Sequence, residues 1–176
     1  MISSIVIGVS ACLLGEYVRY DGGHKRSGYI CDILGRHFSL VPVCPEAGCG
    51  LPIPREPMRL EGDPDAPRLM TCETRSDKTE QMMRYCTEKM YELEKAGLCG
   101  FIFKERSPSC GLGTVPLYRY GASCVSSATG LFAREISRAF PFLPLEEVER
   151  LNDPDIRQDF LHRVFHYRRT LAIPET

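Results

Sequence analysis

Short apolar runs separated by helix-length segments are the feature that most constrains the fold of this chain. The runs show little alternation of apolar and polar residues, which is typical of strands buried on both faces. Strands that alternate with helices predict a parallel sheet. We therefore expect an α/β fold with a short, mostly parallel sheet flanked by helices. The four predicted strands are Ile5–Val9, Leu40–Val43, Phe101–Phe103 and Phe140–Leu143.

The segments between and after these runs carry the helix signals. The strongest is Ser76–Ala96, which has Ser76 or Asp77 as N-cap, apolar residues at helical spacing and Gly97 as a stop. The segment Pro45–Thr74 contains six prolines and no period of either kind, which predicts a long irregular loop that forms a wall or lid. The other predicted helices are Tyr29–Arg36, a helix capped by Thr129 and running towards Arg138, Leu145–Leu151 and Asp155–Arg169.

Length and charge narrow the class of protein. The 176 residues suit one domain, 1–176, and a net charge of −1 gives no basic field for nucleic acid. No run approaches the ~20 apolar residues of a membrane span, and no basic leader is present, so we expect a cytoplasmic protein without a membrane partner. Thiols stay reduced in the cytoplasm, so nine cysteines favour metal binding or catalysis over disulfides.

Three cysteine motifs follow three of the predicted strands. Cys12 lies in Ser10–Gly15, Cys44 begins Cys44-Pro45-Glu46, and Cys110 lies in Ser107–Gly111. Because the carboxyl ends of parallel strands gather at one edge of a sheet, we expect these thiols to meet there. Thiolates select zinc, copper(I) or iron–sulfur clusters. The sequence therefore predicts a metal or cluster site held by these three cysteines.

Polar residues beside these cysteines are candidates for chemistry. Glu46 follows a proline at a strand end, where it suits general acid/base catalysis, and Ser107 or Ser109 suits hydrogen bonding to substrate. Cys49 is ambiguous, either a ligand or a residue near one. Lys25 and Arg55 are anion-binding or solvated surface residues. The remaining cysteines and the pair His162 and His166 are interpreted as packing or surface residues: Cys31, Cys72, Cys86, Cys99 and Cys124.

Taken together, these motifs resemble the thiouracil desulfidase family of small bacterial proteins, formerly a domain of unknown function. The resemblance covers most of the chain and implies a Rossmann-like domain. It implies that Cys12, Cys44 and Cys110 hold a [4Fe-4S] cluster whose remaining iron binds the substrate's sulfur. The matching segments are Ser10–Gly15, Arg19–Gly22, Val41–Glu46, Gly50–Arg55 and Arg106–Gly111.

The resemblance also implies roles for the polar residues. Glu46 matches the family's acid/base carboxylate, and the catalytic serine is assigned to Ser107 in preference to Ser109. The expected reaction is non-redox hydrolysis of a thiolated pyrimidine, either the base thiouracil or its nucleotide. Hydrosulfide is released. The choice between 2-thio and 4-thio substrates stays open, as does the choice between base and nucleotide.

Other functions fit the same residues. One is a non-catalytic iron–sulfur protein for electron transfer or sensing, which has no need of Glu46. Another is a structural zinc protein in which Cys49 or another thiol completes a four-ligand site. A third is an enzyme with a cysteine nucleophile, which the lack of a histidine near the three motifs disfavours.

Overall fold

The computed structural model describes residues 5–119 and 124–171. The predicted domain 1–176 also includes 1–4, 120–123 and 172–176, which lie outside the described residues. The strands are β1 Val6–Ser10, β2 Ser39–Val43, β3 Met58–Asp63, β4 Ala66–Thr71, β5 Leu98–Phe103, β6 Val115–Tyr118, β7 Cys124–Ala128 and β8 Leu145–Glu147. The α-helices are α1 Pro45–Gly48, α2 Thr79–Lys95, α3 Leu131–Ala139 and α4 Pro154–Leu171.

Sheet A is the parallel sheet that the sequence predicts. Its strand order is β2-β1-β5-β8, and every neighbouring pair is parallel. The chain leaves β1 towards β2 on one side, and β5 is added on the other. The order therefore reverses between β1 and β5, and the carboxyl ends of these strands are where α/β sheets place ligands.

Both faces of the central strands are buried, as the unalternated runs predict. Every residue of β5 is buried, with Phe101 packed on the side of α2 and α3, and Ile102 on the side of α4. Gly8 of β1 is required by this packing because a Cβ there would lie 2.3 Å from the ring of Phe101. A larger residue at position 8 would force the two central strands apart.

Two strands of a second sheet lie in the region predicted to be irregular. Sheet B has the order β4-β3-β6-β7, with β3 and β4 forming an antiparallel hairpin inside the segment Pro45–Thr74. The prediction of an irregular loop there was wrong. Residues Pro67, Leu69 and Thr71 alternate with exposed or half-buried neighbours, so a period of two was present among the prolines. Only 49–57 remains irregular within the first part of this segment.

The predictions near residues 140–151 were also wrong. The run Phe140–Leu143 forms a turn in which Phe142 is 87% exposed, and the strand is Leu145–Glu147 instead. A short 3₁₀ turn at Arg150–Asn152 replaces the helix predicted over Leu145–Leu151. Charged residues in this edge strand obscure the strand pattern in its sequence. Glu146 is buried, and Arg150 Nε donates a hydrogen bond to its carboxylate at 2.8 Å.

The remaining helices lie where the sequence predicts them, but their first residues or their helix types differ from the prediction. Helix α2 begins at Thr79 because 76–78 continue along β4, with Lys78 N–H donating to the Leu69 carbonyl at 2.8 Å. Tyr29–Arg36 forms a π-turn and a 3₁₀ turn, and α3 begins after Gly130, one residue beyond the predicted cap. Within the described ranges, no helix combines the length and apolar character needed to cross a membrane.

Candidate functional site

A cavity of about 350 Å³ lies at the carboxyl ends of β1, β2 and β5. The loops that leave these three strands form its wall, together with part of the proline-containing segment after α1. All six residues that sequence analysis places in one site line this cavity: Cys12, Cys44, Glu46, Ser107, Ser109 and Cys110. The gathering expected from a parallel sheet is therefore observed.

Cys12 lies in the 3₁₀ turn Ala11–Leu14 that follows β1 directly. Gly15 ends this turn with a φ of 93°, a conformation that favours glycine. The carbonyl of Cys12 accepts hydrogen bonds from the N–H groups of Gly15 at 3.3 Å and Lys25 at 2.9 Å. The turn is thereby fixed on both sides of the cysteine.

Cys44 links the end of β2 to the short helix α1. Pro45 occupies the first position of the helix, where its fixed φ is compatible with a helical turn. The Cys44 carbonyl accepts the N–H of Gly48 at 2.8 Å, and its thiol lies 3.8 Å from the Val18 carbonyl oxygen. This turn also carries Glu46 into the cavity, so one local structure positions a thiol and a carboxylate.

Cys110 lies in a loop that is hydrogen-bonded to the first turn of α3. The Ser109 carbonyl accepts the N–H groups of Phe132 at 3.0 Å and Ala133 at 3.2 Å. Gly130 is required at this approach, because a Cβ there would lie 2.6 Å from the Ser109 carbonyl group. The far side of the loop is fixed by Glu147, whose carboxylate accepts the Leu112 N–H at 2.7 Å.

The three thiols share an environment that favours their neutral form. Burial raises the pKa of Cys12 to about 11, and the neighbouring Cys44 adds to the effect. Burial likewise raises the pKa of Cys44 and of Cys110 above the ordinary thiol value. The described wall of the cavity includes no histidine that could activate a cysteine nucleophile.

Glu46 is held in a buried hydrogen-bonded chain. Arg55 Nε donates to Glu46 Oε2 at 2.8 Å, and Nη2 lies 2.6 Å from the same oxygen. Nη2 also donates to the Val18 carbonyl at 2.9 Å. The Arg55 side chain is therefore buried between the loops that follow β1 and β2, and the interpretation of Arg55 as a solvated surface residue was wrong.

The serines complete this chain on the other carboxylate oxygen. Ser109 Oγ donates to Glu46 Oε1 at 2.8 Å and lies 3.7 Å from Cys110 Sγ. Its single proton is committed to the nearer carboxylate. Ser107 Oγ lies 3.0 Å from Ser109 Oγ and accepts the N–H of Cys110 at 3.2 Å. Because the Ser109 proton goes to Glu46, Ser107 supplies the proton of the bond between the two hydroxyls.

Several other predictions concern residues outside the cavity wall. Cys49 lies behind it, with its thiol 3.2 Å from the Glu46 carbonyl oxygen. Lys25 lines a second, smaller cavity, and His162 and His166 are exposed on α4. Cys86 and Cys99 are packed in the core as expected. The cavity residues that sequence analysis did not single out include Val18, Lys104 and Met58, the first residue of β3, none of which belongs to a distinctive pattern.

Comparison with known proteins gives a family match, a related sequence and a similar solved structure. The family model described as 2-thiouracil desulfurase matches residues 7–148. A Bacillus subtilis (strain 168) protein with the description "Uncharacterized protein YbbK" is 31% identical over 115 residues, which cover 62% of this chain and 76% of that protein. A solved structure described as the [4Fe-4S]-dependent thiouracil desulfidase TudS aligns with a TM-score of 0.71 and 29% identity, covering 88% of this chain and 98% of that one.

Proposed function

Because the chain belongs to the 2-thiouracil desulfurase family, we propose that it replaces the sulfur of a thiolated pyrimidine with oxygen. The substrate is thiouracil or its nucleotide, and the products are the oxo base, hydrosulfide and a proton. The observation that carries this proposal is the gathering of three thiols and a serine-bonded carboxylate along one cavity.

The donor set fits a [4Fe-4S] cluster held by Cys12, Cys44 and Cys110. All three thiols line the cavity, and thiolates are the ligands that such clusters prefer. A single zinc ion needs sulfurs about 2.3 Å from one point. The described part of the chain contains no group of three or more Cys, His, Asp or Glu side chains close enough to hold one ion.

When bound, the cluster supplies an iron without a protein ligand, a Lewis acid suited to the sulfur of a thiocarbonyl group. The TudS protein, to which this chain is similar, is described as [4Fe-4S]-dependent. The cavity of about 350 Å³ is large enough for a small molecule such as thiouracil beside the three cysteines.

Glu46 acts as the general base. Its carboxylate takes a proton from a water molecule, whose oxygen forms a bond to the carbon that carries the sulfur. The carbon–sulfur bond then breaks, and the electron pair leaves with sulfur as hydrosulfide. Arg55 holds the carboxylate in one orientation through Oε2, which leaves Oε1 towards the serines.

Ser107 and Ser109 conduct the proton. Ser109 is in direct contact with Glu46, and Ser107 is joined to the carboxylate through Ser109. A proton accepted by Glu46 returns through Ser109 and Ser107 to the leaving sulfur or to a ring nitrogen. Ser107 therefore remains the serine proposed to transfer the proton to the substrate, and Ser109 connects Ser107 to Glu46.

The proposal is tested by metal analysis and turnover in anaerobically prepared protein. We expect about four irons with equal acid-labile sulfide per chain, and loss of 2-thiouracil or 4-thiouracil absorbance with release of hydrosulfide. Cys110→Ser should lose iron, whereas Cys124→Ser, an exposed residue of β7 outside the cavity, should keep it.

Glu46→Gln separates the enzyme from its alternatives. This variant should keep iron and lose at least about 100-fold in turnover, because an amide cannot accept the proton from water. A complete cluster without turnover in the natural sequence would indicate the electron-transfer or sensor function. Zinc without acid-labile sulfide would indicate the structural zinc protein.

A further inference from the structure

The loop between β1 and β2 brings an aromatic residue to the cavity. Val18, Arg19 and Tyr20 belong to the cavity wall, and the side chain of Tyr20 is 44% exposed. Tyr17, three residues earlier, is 68% exposed but is outside the wall, where its ring packs edge-on against His24. The loop therefore offers two exposed tyrosines, of which one lines the site.

Tyr20 is fixed to the same arginine that holds the catalytic carboxylate. Its carbonyl accepts the backbone N–H of Arg55 at 2.8 Å. The Arg55 side chain in turn contacts Glu46. Tyr20 and Glu46 are thus tied to two ends of one residue, so the position of the loop is linked to the position of the proposed base.

A tight turn prevents this loop from moving freely. The Arg19 carbonyl accepts the N–H of Gly22 at 2.9 Å, and the Gly23 carbonyl accepts the N–H of Arg19 at 3.2 Å. Gly22 has a φ of 76°, which only glycine adopts at little cost. The Arg19 guanidinium is paired with Asp21 at 3.2 Å. These contacts fix the backbone that carries Tyr20, so little ordering of the loop is needed when a ligand binds.

Arg19 supports the Tyr20 ring from one face. Its guanidinium lies over the ring, 5.4 Å from the ring centre, within the range of a cation–π contact. Both residues line the cavity. Aromatic rings and guanidinium planes are the two kinds of side chain on which unpaired bases stack in proteins.

We propose that Tyr20, supported by Arg19, is the stacking surface for the pyrimidine ring of the substrate, an inference that rests on the proposed function. Stacking selects for a flat aromatic ring and tolerates changes in its ring substituents, since every base has a π-face. Tyr20 thereby discriminates cyclic aromatic thiocarbonyls from open-chain ones such as thiourea. It leaves the choice between 2-thio and 4-thio bases to other contacts.

The test is equilibrium binding of uracil to the iron-loaded protein, which measures ring recognition without turnover. Tyr20→Leu keeps apolar volume but removes the ring, and should weaken uracil binding by roughly 5- to 100-fold. KM for thiouracil should rise by a similar factor. Tyr20→Phe, which keeps the ring, should bind uracil more tightly than the leucine variant. Tyr17→Ala, at the exposed tyrosine outside the wall, should match the natural sequence.

Three results would overturn the stacking role. Uracil binding that is unchanged in Tyr20→Leu, equal loss in the leucine and phenylalanine variants, or equal loss in Tyr17→Ala would each do so. Iron content measured on every variant identifies any that have lost the cluster, and loss of iron in Tyr20→Leu with retention in Tyr20→Phe would mean that the ring packs the loop instead.

Failure of the proposed function would have a different signature. If the natural protein binds uracil in a manner that depends on Tyr20 but releases no hydrosulfide from thiouracil, the stacking role stands and the desulfidase function is wrong. If it turns over thiouracil while Tyr20→Leu keeps the natural KM and uracil affinity, the stacking role alone is wrong.

Discussion

Ser109 Oγ donates a 2.8 Å hydrogen bond to Glu46 Oε1 and thereby connects two loops that lie 63 residues apart in the sequence. Both side chains are buried, Ser109 at 1% and Glu46 at 9% exposed. A buried bond from a hydroxyl to a carboxylate holds both groups more strongly than one at the surface. This contact joins the loop of Cys44 to the loop of Cys110.

The two serines should differ in what their loss affects. Ser109→Ala removes the contact with Glu46, and turnover should fall roughly 100-fold or more while iron content is kept. Ser107→Ala breaks the same proton path but also leaves the Cys110 N–H without its acceptor, so turnover and iron retention should both fall. Iron analysis and steady-state kinetics on both variants, with Ser137→Ala on α3 as the control, measure the difference. Equal turnover in all three would contradict the proton path.

Removing the guanidinium of Arg55 should destabilise the fold through Glu46. Arg55→Gln leaves a buried carboxylate without its charge partner and should lower the free energy of unfolding by about 3–5 kcal/mol. Adding Glu46→Gln removes that unpaired charge and should restore part of the loss. Urea unfolding of the two single variants and the double variant gives the coupling between them. Strictly additive losses would show that the pair does not act as a unit.

Gly130→Ala should damage the third cysteine loop from outside the cavity. The new methyl group would overlap the Ser109 carbonyl, so the loop must shift or α3 must start elsewhere, at a cost of about 1–3 kcal/mol. We expect reduced iron retention together with a lower melting temperature. Gly35→Ala is a suitable control, since its Cβ would meet ordinary contacts no closer than 3.5 Å. Full iron content in Gly130→Ala would mean that the loop adapts without moving Cys110.

Sheet B carries a buried carboxylate whose titration should appear in acid. The hydrogen bond from Arg75, aided by Arg59, lowers the pKa of Glu61 from 4.5 to about 2 in the folded chain. A lowered folded-state pKa stabilises the fold above the unfolded value, near 4.5, and that contribution is lost as pH falls towards 2. Stability should therefore decline over this window.

Glu61→Gln tests this acid sensitivity directly. The variant should be less stable at neutral pH by about 1–3 kcal/mol, because the charged hydrogen bonds to two arginines are lost. Its stability should also depend less on pH between 4.5 and 2 than that of the natural sequence. Urea midpoints measured at several pH values provide the comparison, and parallel curves for the two proteins would argue against Glu61 as the titrating group.

The parallel sheet and the meeting of the three thiols could be predicted because local sequence carries both. Three of the four apolar runs form strands of the parallel sheet, and parallel pairing brings their carboxyl ends to one edge whatever the connections are. Cys12, Cys44 and Cys110 needed nothing more than their position just beyond such runs. The proximity of Glu46 followed from its position two residues after Cys44.

The contacts across the site could not be predicted, because they depend on how separate segments pack. Arg55 appears as one more charge in a proline-containing segment, and only the fold shows that its guanidinium is buried beside Glu46. Strand β8 was missed for a related reason. Its two glutamates are tolerated inside because partners from other segments, among them Arg150 and the Leu112 N–H, satisfy them, and those partners are not visible in the strand's own sequence.

The strand order of sheet A also determines when this site can exist during synthesis. Cys12 and Cys44 lie just after β1 and β2, which are synthesised first, whereas Cys110 lies in the loop that follows β5, the strand on the other side of β1. A chain still growing on the ribosome would hold two of the three thiols beside an unpaired strand edge, and its loop for the third would lack the support of α3. We therefore expect all three cysteine loops to be in place only after translation has passed α3.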